Sequence, residues 1–270
     1  MNKFGKNEGI KIIQQQIEKY TATGAYQILT QKEAKNLLLT PHHFIRTSLI
    51  ENHRSKSTPL RTILDPSSYV KECKSSFNAN LVTLPTKQTN ISFILLGFFL
   101  YEYPLSQDIE SAFHGTKLIK SDQLFQLIMS FDFTKENWTD HPVIIRVLSL
   151  IFGSAQSPTL MEITIRKICQ FLEPPYNNIL KHQCMVDNIL TSFRDIPSLK
   201  KTEQIFTKIF NKHGFKLKPS DTSEAVSKIS LSKDQEIEQI LGIMWNKKQD
   251  KIGPNYNFNI GKKNKRNSQT

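Results

Sequence analysis

The chain has 270 residues, enough for one large domain or two small ones around a sizeable core. Its 36 Lys and Arg outnumber 24 Asp and Glu, and the resulting +12 points to a polyanionic partner such as nucleic acid, or to an anionic membrane surface. Three cysteines, Cys73, Cys169 and Cys184, make no CxxC pair, which argues against a disulfide framework or thiolate zinc site and fits an intracellular, reducing setting.

The N-terminal MNKFGKNEG lacks an apolar signal region, so secretion is not expected and the sequons at Asn90 and Asn137 read as chance matches. Apolar residues at 10, 13, 17 and 20 predict a helix over Ile10 to Tyr20, and a second, weaker one covers Gln31 to Leu39 before Pro41. Residues 1–40 are read as an N-terminal helical extension. Strand-like segments follow at Phe44 to Ile50 and Leu60 to Leu64, joined by a cationic turn with Arg54, Lys56, Ser57 and Pro59. Such a hairpin suits a phosphate clamp of Arg61 with Arg54 or Lys56, although a solvated charged turn has the same composition.

Past a Ser/Asn loop near Ser75 to Asn80, ISFILLGFFLY (Ile91 to Tyr101) is the most apolar run. It is too short for a bilayer, which needs about 20 residues, and reads as a buried helix; no membrane partner is expected. From Tyr103 to Leu118 the pattern turns strand-like, with Leu105, Gln107 and Ile109 on one face and Asp108 on the other. Val143 to Phe152 reads as a buried strand stopping at Gly153. A helix follows, with Ser157 as N-cap and Met161, Ile165, Ile168 and Leu172 on one face, until Pro174 and Pro175 end it; Arg166 and Lys167 lie on another face, which reads as a solvated face more readily than as a contact for a phosphate backbone.

Cys184 to Leu190, CMVDNIL, reads as a β-hairpin with Asp187 and Asn188 in the bend and Met185, Val186, Ile189 and Leu190 in the strands. Alone, a VDN tripeptide is an ordinary surface turn. An amphipathic helix over Leu199 to Lys212 ends at Gly214, a short strand runs from Phe215 to Lys218, and ILGIMW (Ile240 to Trp245) is a last apolar strand. From Trp245 onward seven basic residues face one acid, so this tail holds +6 of the +12. Residues 247–270 are read as disordered, with KKNKR at Lys262 to Arg266 either an import signal or a plain solvated tail.

Six segments in this order resemble Bel/Pao-type retrotransposon reverse transcriptases, from about Pro41 to Asn246. PHHFI resembles that family's PHHPV and PLRTILDPSS its VRVVFDAS. YPLSQDIESAF resembles YPLTADIEKAF, and LIFGSAQSPTLMEITIR resembles VPFGLTSSPFLLNATIR. MVDNIL resembles YVDDIL, and ILGIMWN resembles VLGLKWN. The resemblance implies an α+β fold: reverse-transcriptase fingers and palm over residues 41–246, an antiparallel palm sheet backed by helices, with no evident thumb or RNase H region. It implies an RNA-directed DNA polymerase using Mg²⁺ or Mn²⁺, an RNA or DNA primer-template and dNTP, in a cytoplasmic or nuclear location.

Nucleotidyl transfer uses two hard cations about 4 Å apart, held by carboxylates and substrate phosphates. Asp108 and Asp187 are 79 positions apart, yet adjacent antiparallel strands would bring them together, and by resemblance they are the metal ligands. Resemblance also assigns Arg61 to the incoming triphosphate, Phe113 to exclusion of a ribose 2′-hydroxyl and Gln156 to nucleotide and template contacts. It assigns either Lys216 or Lys218 to protonating pyrophosphate. Two departures stand in the hairpin, where Met185 replaces the family's Tyr and Asn188 its second Asp. An amide offers a carbonyl oxygen without charge, so metal affinity falls and turnover is impaired. The alternative is a catalytically inactive nucleic-acid-binding relic. No GxSxG, HExxH, Walker or GxGxxG pattern competes, and His42 and His43 would point apart in a strand.

Overall fold

The computed structural model describes residues 6–39, 42–51, 60–82, 85, 89–223 and 237–254. The cationic turn with Arg54, Lys56, Ser57 and Pro59, and the KKNKR run, lie outside the described residues. In chain order the elements are α1 (Lys6–Ala22), β1 (Tyr26–Ile28), α2 (Gln31–Leu37), β2 (Phe44–Glu51), β3 (Leu60–Asp65), β4 (Tyr69–Val70) and β5 (Ser75–Ser76). Next come α3 (Ile91–Phe98), β6 (Tyr103–Glu110), α4 (Ala112–Gly115), β7 (Leu127–Phe131), β8 (Pro142–Val147), α5 (Ser157–Cys169) and α6 (Tyr176–His182). The last are β9 (Cys184–Met185), β10 (Asn188–Phe193), α7 (Ile196–Lys212), β11 (Lys216–Leu217), β12 (Ile237–Ile240), β13 (Ile243–Asn246) and β14 (Lys251–Pro254).

A five-stranded sheet runs β1-β8-β7-β2-β3, mixed because β2 and β7 are parallel. Ile17 and Tyr20 of α1 pack on its core of Tyr26, Ile45, Leu64, Ile128 and Ile145. The segment expected to be purely helical thus carries a strand, β1, paired with β8. α2 starts at the expected residue because Thr30 and Glu33 form a reciprocal capping box, Thr30 N–H to Glu33 Oε2 at 2.9 Å and Glu33 N–H to Thr30 Oγ1 at 3.3 Å.

A four-stranded antiparallel sheet runs β11-β6-β10-β9. One face, carrying Ile109 and Ile189, packs on Met161, Ile165 and Ile168 of α5 and Phe206 and Phe210 of α7. The other carries Leu190, which joins Ile94 and Phe98 of α3 and Ile240 and Trp245. The apolar run at Ile91 to Tyr101 is therefore buried on one side only: Ile94 and Phe98 are fully covered, whereas Phe93 and Leu96 are more than half exposed. Asn90 caps that helix, accepting the Ser92 N–H at 2.8 Å.

Three further differences have local causes. The segment read as one strand at Ile240 to Trp245 is a hairpin, β12 and β13, because Leu241 and Gly242 turn the chain with φ of +43° and +90°. Part of the expected disordered tail, Lys251–Pro254, adds β14 to that hairpin, with Trp245 Nε1–H donating to Asp250 Oδ1 at 2.8 Å across the connecting turn. Lys247, counted with the tail, is buried between Asp221 (2.8 Å) and Glu238 (3.6 Å). Among the described residues no helix is long and apolar enough to cross a membrane.

Candidate active site

The register of the four-stranded sheet builds the site. Asp108 on β6 faces Asn188 on β10, and Ile109 N–H donates to the Asp187 carbonyl at 2.8 Å. Asp108 and Asn188 are therefore a non-hydrogen-bonded pair, the closer of the two antiparallel pairings, with Cα atoms about 4.5 Å apart. On the opposite flank, Lys218 N–H donates to the Asp108 carbonyl at 2.9 Å and Lys218 Nζ sits 2.9 Å from Asp108 Oδ1. A lateral row of Lys218, Asp108 and Asn188 thus runs across the inner strands β6 and β10, and Glu110 and Lys216, 3.4 Å from each other, form the next row.

The hairpin differs from the sequence reading by one residue. Met185 pairs with Asn188, so the two-residue bend is Val186 and Asp187, and Asn188 is the first residue of β10 rather than part of the turn. Val186 takes φ +57°, a conformation costly for a β-branched side chain, on the order of 1–3 kcal/mol. This bend holds Asp187 beside the row, where Asn188 Nδ2 donates to Asp187 Oδ1 at 2.9 Å. Asp187 is half-buried; desolvation first, and then the charge of Asp108, push its carboxyl above the ordinary 3.8, against a smaller opposing pull from Lys218. Two carboxylates that feel each other in a partly desolvated place are oxygen donors suited to a hard cation. Among the described residues no cluster of three or more His, Cys, Asp or Glu could hold a metal ion, so such a cation would lean on two carboxylates and on groups brought by a substrate.

The remaining candidates sit on other elements. Phe113, just past the left-handed Ser111 (φ +51°), is buried at 5% exposure in the helix-side core and meets Phe152 edge to face at 4.5 Å. Phe152, read in the sequence only as the end of a buried strand, lies beyond β8, which stops at Val147, and is half exposed where it meets Phe113; its place before Gly153 was the available signal. Gln156, not Ser157, is the N-cap residue of α5, and its Nε2 donates to the Val82 carbonyl. Arg61 stands on β3 opposite Ile50, with its side chain outside the described residues. Arg166 pairs with Glu162 at 2.6 Å one helical turn away.

A second missed residue is Asn78. Its Nδ2 donates to the Gly153 carbonyl at 2.9 Å and its Oδ1 accepts from Ala155 N–H at 3.0 Å, while its N–H donates to the Pro66 carbonyl at 2.9 Å. It fixes the turn that leads into α5. Gly153 is required there: its φ is +84°, and a Cβ would lie 3.1 Å from the Leu64 carbonyl and 3.0 Å from Pro66 Cδ.

No protein-family model and no curated protein matches the chain in sequence. Solved structures do match in shape. The foamy viral protease-reverse transcriptase in complex with dsDNA superposes with a TM-score of 0.57 at 17% identity, over 91% of this chain and 41% of that one. The foamy viral enzyme with an RNA/DNA hybrid gives 0.57 at 17% identity over 94% and 28%. The Prototype Foamy Virus CSH mutant gives 0.58 at 15% identity over 93% and 27%. The chain spans less than half the length of each of these proteins. The chain has a reverse-transcriptase-like fold, and Asp108, Asp187 and Lys218 come together at one end of the inner strands of its four-stranded sheet.

Proposed function

We propose that the chain is the fingers and palm portion of an RNA-directed DNA polymerase from a Bel/Pao-type retroelement, binding an RNA or DNA primer-template and dNTP, with turnover weakened by Asn188. The observation that carries this reading is the convergence of Asp108 and Asp187, distant in sequence, at one end of the inner strands β6 and β10, where burial and then the charge of Asp108 push the Asp187 carboxyl up. In this reading the five-stranded sheet is the fingers, the four-stranded sheet the palm, and Arg61, Phe113 and Gln156 line the nucleotide's approach. Asp108 and Asp187 are the ligands for Mg²⁺ or Mn²⁺, which would activate a primer 3′-hydroxyl and stabilise the departing pyrophosphate. Asp187 is held in place by the Val186 turn and the Asn188 amide. Lys218, rather than Lys216, is the lysine beside the carboxylates.

A second reading rests on Asn188 itself. Its amide engages Asp187 and supplies no charge, which favours a relic that binds nucleic acid without catalysis. Single-nucleotide incorporation by the natural chain and by Asp108→Asn, together with primer-template binding across a salt series, separates the two. The polymerase reading expects incorporation that Asp108→Asn abolishes. The relic reading expects steeply salt-dependent binding and no incorporation by either protein. Salt-insensitive or absent binding contradicts both.

A further inference from the structure

Lys218 is tied to Asp108 twice, by its backbone N–H to the Asp108 carbonyl and by its ammonium to Oδ1, each at 2.9 Å. The β11–β6 register therefore delivers the ammonium to the carboxylate. Lys216, two residues earlier on the same edge, makes the looser pair with Glu110 at 3.4 Å, and its side chain is 77% exposed against 53% for Lys218. On the other flank the Asn188 amide donates to Asp187 Oδ1. Each carboxylate thus has one oxygen engaged by a neighbour from the chain itself, and Asp108, Asp187 and Lys218 together carry two negative charges and one positive.

We propose that Lys218 is a built-in counter-ion of this carboxylate pair: a divalent cation gains Asp108 only by displacing the lysine, so the site's cation affinity is set by competition with Lys218. The inference deepens, and rests on, the reading of Asp108 and Asp187 as cation ligands. Lys218 holds only one oxygen of Asp108, so ammonium and dication compete not for a single atom but through their mutual repulsion on one carboxylate, which is large even when screened. The lysine can leave without disturbing the fold, because its four-carbon stem is flexible and its tip is half exposed. Asn188 strengthens the effect, since position 188 brings no compensating negative charge.

The test is Mn²⁺ titration of the full chain, followed by the paramagnetic resonance signal of the free ion. It compares the natural protein with Lys218→Met, Lys218→Arg, Lys216→Met and Asp108→Asn, with circular dichroism as a check on folding. Lys218→Met and Lys216→Met remove the same charge two residues apart, so general electrostatics alone moves both alike. The expected result is Mn²⁺ binding about tenfold tighter in Lys218→Met, within about twofold of the natural protein in Lys216→Met, unchanged in Lys218→Arg and lost in Asp108→Asn. Lys218→Met binding no tighter than Lys216→Met, with binding still lost in Asp108→Asn, overturns the counter-ion but leaves the cation site standing. Asp108→Asn binding as well as the natural protein overturns both.

Discussion

Replacing Asn188 with Asp probes the site with a change of one functional group. In the natural chain Asn188 Nδ2 donates to Asp187 Oδ1 at 2.9 Å and faces Asp108 across the strand pair. Asn188→Asp turns that attraction into carboxylate repulsion: at about 4 Å between charge centres and an effective dielectric of about 20, Coulomb's law gives roughly 4 kcal/mol. Both residues are only half-buried and Lys218 lies nearby, so solvent screening and side-chain relaxation reduce the net loss to about 1–2 kcal/mol. For a chain of this size that is a fall in melting temperature of roughly 2–8 °C. A divalent cation reverses it, because a ligand at about ten times its Kd adds about 1.4 kcal/mol. Thermal unfolding by circular dichroism, in EDTA and in excess Mg²⁺, measures both effects. The variant should melt below the natural protein in EDTA and gain more from Mg²⁺. Equal stability in EDTA with no larger Mg²⁺ response would refute the placement of position 188 beside Asp187 and Asp108.

Three other outcomes follow from the packing and charges. Trp245, fully buried against Phe98 at 4.9 Å between ring centroids, should cost about 3–5 kcal/mol when changed to Ala; urea unfolding checks this, and a loss below about 1 kcal/mol would contradict the assigned core. Asn78→Ala should release the Gly153 turn, lowering stability by about 1–3 kcal/mol and speeding amide exchange at residues 153–157, whereas unchanged exchange would deny Asn78 that role. Glu238 is pushed up to about 7 from 4.5, by burial first and then by Asp221, against the pull of Lys247. Its folded form holds a proton that the unfolded chain releases, so its contribution is full below about pH 4.5 and declines as pH rises towards 7. The stability of the natural protein minus that of Glu238→Gln should fall across that window in a denaturant series, and a flat difference would contradict it.

Much of the site was legible because its parts are short, strongly patterned segments. Alternation around Asp108, the MVDNIL hairpin and the Gly214 stop, which indeed takes φ +80°, are local signals. What escaped depends on register and tertiary contact. β1 is only Tyr26–Ile28 and shows no alternation before it meets β8. α6 begins at Tyr176, directly behind prolines that read as a stop. The choice between Lys216 and Lys218 needs the phase of β11 against β6, which two strand residues do not encode. The hairpin bend moved by one residue because Asp and Asn favour turns, whereas the observed pairing puts β-branched Val186 in the left-handed position. Lys247 read as tail charge, yet its partners Asp221 and Glu238 lie 26 and 9 positions away.

Whether the Asp108–Asp187 site transfers nucleotides is settled by primer extension on an RNA template, with Mg²⁺ and then Mn²⁺, on the natural chain, Asn188→Asp and Asp108→Asn in parallel. Asn188→Asp should extend the primer faster than the natural chain, with the larger gain in Mg²⁺, and Asp108→Asn should not extend it at all. Extension by Asp108→Asn at the natural chain's rate, or by none of the three in either metal, would contradict the assignment of this end of the four-stranded sheet as a nucleotidyl-transfer site.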